Sequence, residues 1–115
     1  IKSLNLERNS IGDEGVRSIA LSPIFSHLTS LNLWKNKIGA EGAKAIADSL
    51  ILGNLQRLDL AHNKIGDAGG KALAESQTLT ALKYVDLFGN GIVEETQGLI
   101  KESLNFKNLQ HLVLE

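Results

Sequence analysis

The stretch Leu28-Thr-Ser-Leu31-Asn-Leu33-Trp-Lys-Asn36-Lys-Ile38-Gly39-Ala-Glu-Gly42 returns 27 residues later as Leu55-Gln-Arg-Leu58-Asp-Leu60-Ala-His-Asn63-Lys-Ile65-Gly66-Asp-Ala-Gly69. It also stands 27 residues earlier, from Leu4 and Leu6 through Asn9, Ile11 and Gly12 to Gly15. A weaker copy carries Val85, Leu87, Asn90 and Ile92, and a fifth begins with Leu109, Leu112 and Leu114. A fixed period of this length marks a solenoid, whose repeats touch only their neighbours. The 115 residues then form one domain of repeats 1–27, 28–54, 55–81 and 82–108, with a partial fifth at 109–115.

Each repeat opens on alternating apolar residues, such as Leu31 and Leu33 or Leu58 and Leu60. Period-2 alternation predicts a half-buried strand, and stacked repeats set such strands in parallel about 4.8 Å apart. Asn9, Asn36, Asn63 and Asn90 recur three positions after the second strand leucine. An amide donates and accepts at once, so this column is expected to satisfy backbone groups where the chain turns inward. The pairs Gly12/Gly15, Gly39/Gly42 and Gly66/Gly69 follow. They lack the Gly-Lys-Ser/Thr ending of a phosphate loop, and their periodic repetition reads as a tight turn into a closely packed helix. Helices are predicted over Glu14–Leu21, Ala40–Leu52, Asp67–Ser76 and Glu94–Leu104, with Ala45, Ile46 and Leu50 as an inward stripe. Ala20, Ala47 and Ala74 hold a small slot where helices approach, and Pro23 stops the first helix by Leu21 or Ser22. The fourth repeat departs, with Val93, Thr96 and Lys101 where the others have Gly, Gly and Ala.

Lys and Arg total 12 against 13 Asp and Glu, a balance that argues against nucleic acid as the main partner. No run of apolar residues is long enough to span a membrane, and without Cys there are no disulfides or thiolate zinc sites. The lack of Cys suits a reducing compartment, so a cytoplasmic setting is expected. Ile1 opens and Glu115 closes the chain inside repeat patterns, which reads as a segment of a longer protein with uncapped ends. Self-association through those ends is the corresponding expectation.

The pattern L-x-x-L-x-L-x-x-N-x-I-G-x-x-G-x-x-x-I/L-A resembles the ribonuclease-inhibitor-like class of leucine-rich repeats over essentially the whole chain. The resemblance implies a right-handed α/β horseshoe, with parallel strands on the concave side and helices on the convex side. It also implies protein binding through the concave sheet and its edge loops. Ribonuclease inhibitor, NOD-like receptor sensors and effectors of intracellular bacteria bind mostly in this way, and likeness to the last of these implies a host cytosol as the alternative setting. The same resemblance keeps two alternatives open: a GTPase-activating domain like that of the Ran system, and a structural spacer within a longer array.

With the strand leucines inward, the solvent-facing columns follow. They include Arg57, Tyr84 and His111 in one, Asn5, Asn32, Asp59 and Asp86 in the next, then Glu7, Trp34, Ala61 and Phe88, with Glu115 continuing that column. Arg8, Lys35 and His62 come last. The only Trp, the only Tyr and one of three Phe thus share the open face. Exposed aromatics beside Arg are the composition of interface hot spots, so Trp34, Tyr84, Phe88, Arg57, Asp59, Asp86, Lys35 and His62 form the expected protein-binding surface. Trp34 and Phe88 are expected to stand about 10 Å apart with a notch over Ala61 between them. Phe25 and Phe106 read as core plugs. Asp59 and Asp86 are direct neighbours, yet an open sheet lacks the enclosed cleft that a carboxylate pair needs for catalysis, so they read as acceptors for a basic partner. His27, His62 and His111 fall at different repeat positions, which leaves no metal, cofactor or catalytic constellation to expect. Lys35, Lys37 and Lys64 gather with Arg8 as a modest basic rim.

Overall fold

The alternating apolar residues that open each repeat form a short strand. β1 (Ser3–Asn5), β2 (Ser30–Asn32), β3 (Arg57–Asp59), β4 (Tyr84–Asp86) and β5 (His111–Val113) lie in that order in one parallel sheet. This computed structural model describes residues 1–107 and 109–114, and Asn108 and Glu115 lie outside the described residues. The register equals the repeat period: Ser3 pairs with Ser30, Leu31 with Leu58, Asp59 with Asp86 and Val85 with Leu112. Each sheet position therefore carries one column of sequence-equivalent residues. Hydrogen bonding continues past the strand ends, with Leu33 N–H donating to the Asp59 carbonyl at 2.8 Å and Lys35 N–H to the Ala61 carbonyl at 3.0 Å.

Alternation decides the layers. Leu31, Leu33, Leu58, Leu60, Val85 and Leu87 are buried beneath α1 (Gly12–Leu21), α2 (Ala40–Ala47), α3 (Gly66–Ala74) and α4 (Glu94–Lys101). A short α5 (Leu104–Lys107) precedes β5, and a 3-10 turn at Pro23–Phe25 follows α1, which ends at Leu21 ahead of the proline. Phe106 is buried, while Phe25 is only partly so and packs against the same core. Helix axes pack about 8–10 Å apart where strands stand about 4.8 Å apart, so stacking the repeats puts the sheet on the inside of the curve. The result is an α/β solenoid. None of the described helices is long and apolar enough to cross a membrane.

α1 ends at Leu21 as expected, but the later helices end earlier than periodicity predicts. α2 stops at Ala47, not Leu52, and Leu50 is 87% exposed, so it belongs to no inward stripe. The buried face of α2 is Gly42, Ala43, Ile46 and Ala47. Ser49 is the cause. Its hydroxyl donates to the Ala20 carbonyl of the preceding repeat at 2.6 Å and accepts the N–H groups of Ile51 and Leu52, which turns the chain. Ser76 repeats the arrangement against the Ala47 carbonyl at 2.5 Å and the N–H groups of Thr78 and Leu79, so α3 ends at Ala74 rather than Ser76. The predicted helix over 94–104 is likewise divided into α4 and α5.

Helix starts alternate between repeats. α1 and α3 begin at Gly12 and Gly66, both at φ +68°, a conformation that suits glycine. α2 and α4 follow extended residues, Gly39 and Val93. A carboxylate of the preceding repeat caps each: Asp13 Oδ1 accepts from Gly39 N–H at 2.7 Å and Gly42 N–H at 3.1 Å, and Asp67 Oδ1 accepts from Val93 N–H at 2.9 Å. A carboxylate at a helix start is favoured by the macrodipole as well as by the hydrogen bonds.

Candidate functional site

The turn after each strand is built by the asparagine column. Asn36, Asn63 and Asn90 are buried, whereas Asn9 is exposed. Each buried amide joins two repeats. Asn36 Oδ1 accepts the N–H of Asn9 and Ile11, and its Nδ2 donates to the Leu6 and Trp34 carbonyls. Asn90 does the same for Ile65 N–H and the Leu60 and Leu87 carbonyls. This scaffold fixes the direction in which the neighbouring solvent-facing side chains leave the sheet.

On the open face the Asn/Asp column has a local backbone task. Asn5, Asn32, Asp59 and Asp86 each use Oδ1 to accept the N–H two residues on, at Glu7, Trp34, Ala61 and Phe88, over 2.9–3.1 Å. One oxygen of Asp59 and one of Asp86 are thus already committed, which narrows their expected role as free acceptors. Partial burial pushes the Asp59 carboxyl above its ordinary 3.8, and the facing Asp86 adds to that rise, while the Ala61 N–H and Arg57 pull it back. Burial first, then Asp86, also raises the Tyr84 hydroxyl, which donates to Asp86 Oδ2 at 3.5 Å. The Arg57 guanidinium carbon lies over the Tyr84 ring at 3.9 Å from its centroid, and Tyr84 tilts against His111 at 6.0 Å.

A carboxyl raised on folding holds its proton more tightly in the folded chain. Ionising Asp59 therefore costs stability at neutral pH, and that cost is relieved as pH falls through the raised value. Asp59→Asn keeps the acceptor for Ala61 N–H, as Asn5 and Asn32 already do. It is expected to gain a few tenths of a kcal/mol at pH 7, small because the group is half in solvent, and nothing at a pH well below 3.8. Urea midpoints at both pH values check this, and an equal shift at the two would contradict it.

The aromatic residues form a row rather than a notch. His62 stands between Trp34, at 5.6 Å and 81°, and Phe88, at 5.4 Å and 66°, with both pairs edge-on. The space expected over Ala61 is filled by this imidazole, and Ala61 is only 3% exposed. The sequence reading misses this because it assumes an extended backbone, whereas His62 has φ 58°. Edge-to-face rings present an electropositive edge and an electron-rich face together. Phe88 remains 43% exposed, and Arg8 and Lys35 stand 5.8 and 6.0 Å from the Trp34 ring centroid. The structure thus brings Trp34, His62, Phe88 and Lys35 together at the turn edge, and Arg57, Asp59, Tyr84 and Asp86 together further back along the strands.

Sequence reasoning overlooked the serine column and the helix-capping aspartates, although both carry a signal. Ser22, Ser49, Ser76 and Ser103 recur every 27 residues, and Gly12-Asp13 recurs as Gly66-Asp67 after 54. Among the described residues no group of three His, Asp or Glu is placed to hold a metal ion.

The Leucine Rich repeat family model matches residues 1–20, 26–47 and 54–74, more than half of the chain. No curated protein matches it. With its period-27 register, buried asparagine column and matched repeats, the chain belongs to the leucine-rich repeat family, whose repeats generally mediate protein–protein interaction and are typically non-enzymatic.

Proposed function

We propose that this domain is a non-enzymatic recognition module of the ribonuclease-inhibitor-like class, holding a partner protein against the open sheet and its turn edge. The observation that carries the reading is the Trp34–His62–Phe88 row, in which edge-on rings lie on the solvent side of the sheet instead of in the core. Large aromatic side chains bury much area at low entropic cost on binding, and Arg and Tyr as in the Arg57–Tyr84 cation–ring contact complete the composition of a hot spot. A cytoplasmic partner is proposed with it.

The test is affinity capture from cell extract with three baits. These are the wild type, Trp34→Ala/Phe88→Ala, and Leu50→Asp on the helix side. A partner held by the wild type and by Leu50→Asp, and lost from the double variant, is the expected result. Equal retention by all three baits would remove the sheet face from consideration. Both substituted rings are solvent-facing, so the double variant should cost the fold little, which circular dichroism and a urea midpoint verify.

A further inference from the structure

Just beyond the aromatic row, the turns of the first three repeats enclose a groove of about 360 Å³ lined by Arg8, Ser10, Lys35, Lys37, His62 and Lys64. No carboxylate lines it. Among the described residues the one ion pair is Lys44–Asp48, on the helix side, so none of Arg8, Lys35, Lys37 and Lys64 is paired with a described carboxylate. The nearest acid in sequence, Glu7, accepts a hydrogen bond from Asn32 Nδ2 at 3.3 Å.

The backbone beneath these side chains is unusual. Arg8, Lys35 and His62 occupy equivalent positions with φ of 61°, 54° and 58°, and Ser10 and Lys37 have φ of 52° and 62°. In the fourth repeat the same two positions are Gly89 and Gly91, at φ 72° and 69°. Glycine adopts this left-handed conformation without steric cost, so the turn needs no side chain there. Repeats one to three nonetheless place side chains on this backbone at Arg8, Ser10, Lys35, Lys37 and His62, three of them Lys or Arg, and all five line the groove beside Lys64, whose own backbone is not left-handed. Strain concentrated on one surface feature, against an unstrained alternative within the same chain, points to a binding role.

We propose that the groove takes an acidic segment of a partner protein, whose flanking apolar side chain lies on the Trp34–His62–Phe88 row. Charge complementarity selects the acidic segment, and Arg8 and Lys35 beside the Trp34 ring join groove and row into one surface. A long uniform polyanion such as nucleic acid fits less well. Asp59 lies two residues back along the strand from Ala61, about 7 Å, and with Asp86 it repels a phosphate chain laid across the sheet.

This inference names the partner chemistry for the recognition surface described above. It is tested with a short fluorescein-labelled peptide of glutamate and aspartate around a central leucine pair, titrated by anisotropy. The expected result is salt-sensitive binding that falls at least about tenfold in Lys35→Gly/Lys37→Gly, while the urea midpoint of that variant stays equal or rises. Should glycine loosen the turn and lower the midpoint, Lys35→Gln/Lys37→Gln must show the same loss of binding at wild-type stability. No binding by the wild type, or unchanged binding by the variants, overturns the proposal. So does a thymidine oligonucleotide of matched charge that binds as tightly, since the groove would then read bare negative charge. Failure here leaves the sheet-face reading intact if Trp34→Ala/Phe88→Ala still loses its captured partner. Conversely, peptide binding lost with the lysines beside an unaffected capture would keep the groove and discard the aromatic row.

Discussion

Asn63→Ala is expected to lower stability by about 3 kcal/mol, and to lower it far more than the same change at Asn9. Asn63 Oδ1 accepts Asn36 N–H at 2.8 Å and Ile38 N–H at 3.0 Å. Its Nδ2 donates to the carbonyls of Leu33, Leu60 and Ala61 at 3.0, 2.9 and 3.3 Å. Alanine leaves two N–H groups of the second repeat facing a space that holds no acceptor, in a region closed to solvent. Buried donors without partners carry their full desolvation cost, so the penalty exceeds that of a typical hydrogen bond. Asn9 is exposed and its Nδ2 serves only the local Leu6 and Glu7 carbonyls, where water can substitute, so Asn9→Ala should cost under about 1 kcal/mol. Because Asn63 ties repeat two to repeat three, its loss should also weaken coupling along the stack and broaden the urea transition. Equal costs at positions 9 and 63, or a cost at 63 below about 0.5 kcal/mol, would refute this account.

The asparagine column was legible because its cause repeats. A residue that serves the same backbone turn in every repeat shows up at a fixed spacing, and so do Leu31, Leu58 and Val85 in the core. The serine column obeyed the same rule and escaped notice only because serine is common and its partner, the Ala20 or Ala47 carbonyl, is a backbone atom without a sequence signature. Helix ends were less legible. Ala45, Ile46 and Leu50 share a helical face only while the helix lasts, and Ser49 ends it first.

The surface was the least legible. Column membership placed Trp34 and Phe88 on the solvent side, but the position of His62 between them depends on its own φ, which no spacing reveals. The groove lining is a similar case. Arg8, Lys35 and Lys37 were visible as a basic rim, but their left-handed backbone is hinted at only by the glycines at 89 and 91. Solvent-facing residues answer to a partner that the chain does not contain, so their arrangement carries less internal consistency than the core does.

The second large effect is expected at Gly69, where Gly69→Ala should cost about 2 kcal/mol despite alanine being the better helix former. A Cβ at this position would lie 2.5 Å from Ile65 Cγ2, 3.1 Å from Ala40 Cα and 3.2 Å from Ala43 Cβ. Ile65 and Ala43 are buried, and Ala40 Cα is backbone of the adjacent helix. None is the free end of a flexible chain: the Ile65 contact lies within the same repeat and is relieved only by turning a buried β-branched side chain, and the Ala40 and Ala43 contacts only if α2 and α3 separate. That separation would stretch the stacking that also seats Ala47 and Ala74 between helices. The helical gain of about 0.5–1 kcal/mol for Ala over Gly offsets only part of this. Gly98 in α4 provides the contrast: nothing lies within 4 Å of its Cβ position and it is exposed, so Gly98→Ala should stabilise by about that gain. Opposite signs in urea unfolding at 69 and 98 would show that Gly69 answers to the close approach of Ile65 and α2, and the isoleucine part of that contact recurs at Gly15 with Ile11 and at Gly42 with Ile38. A stabilising Gly69→Ala would mean that the helices have room the structure denies, and the curvature argued from their spacing would have to be drawn differently.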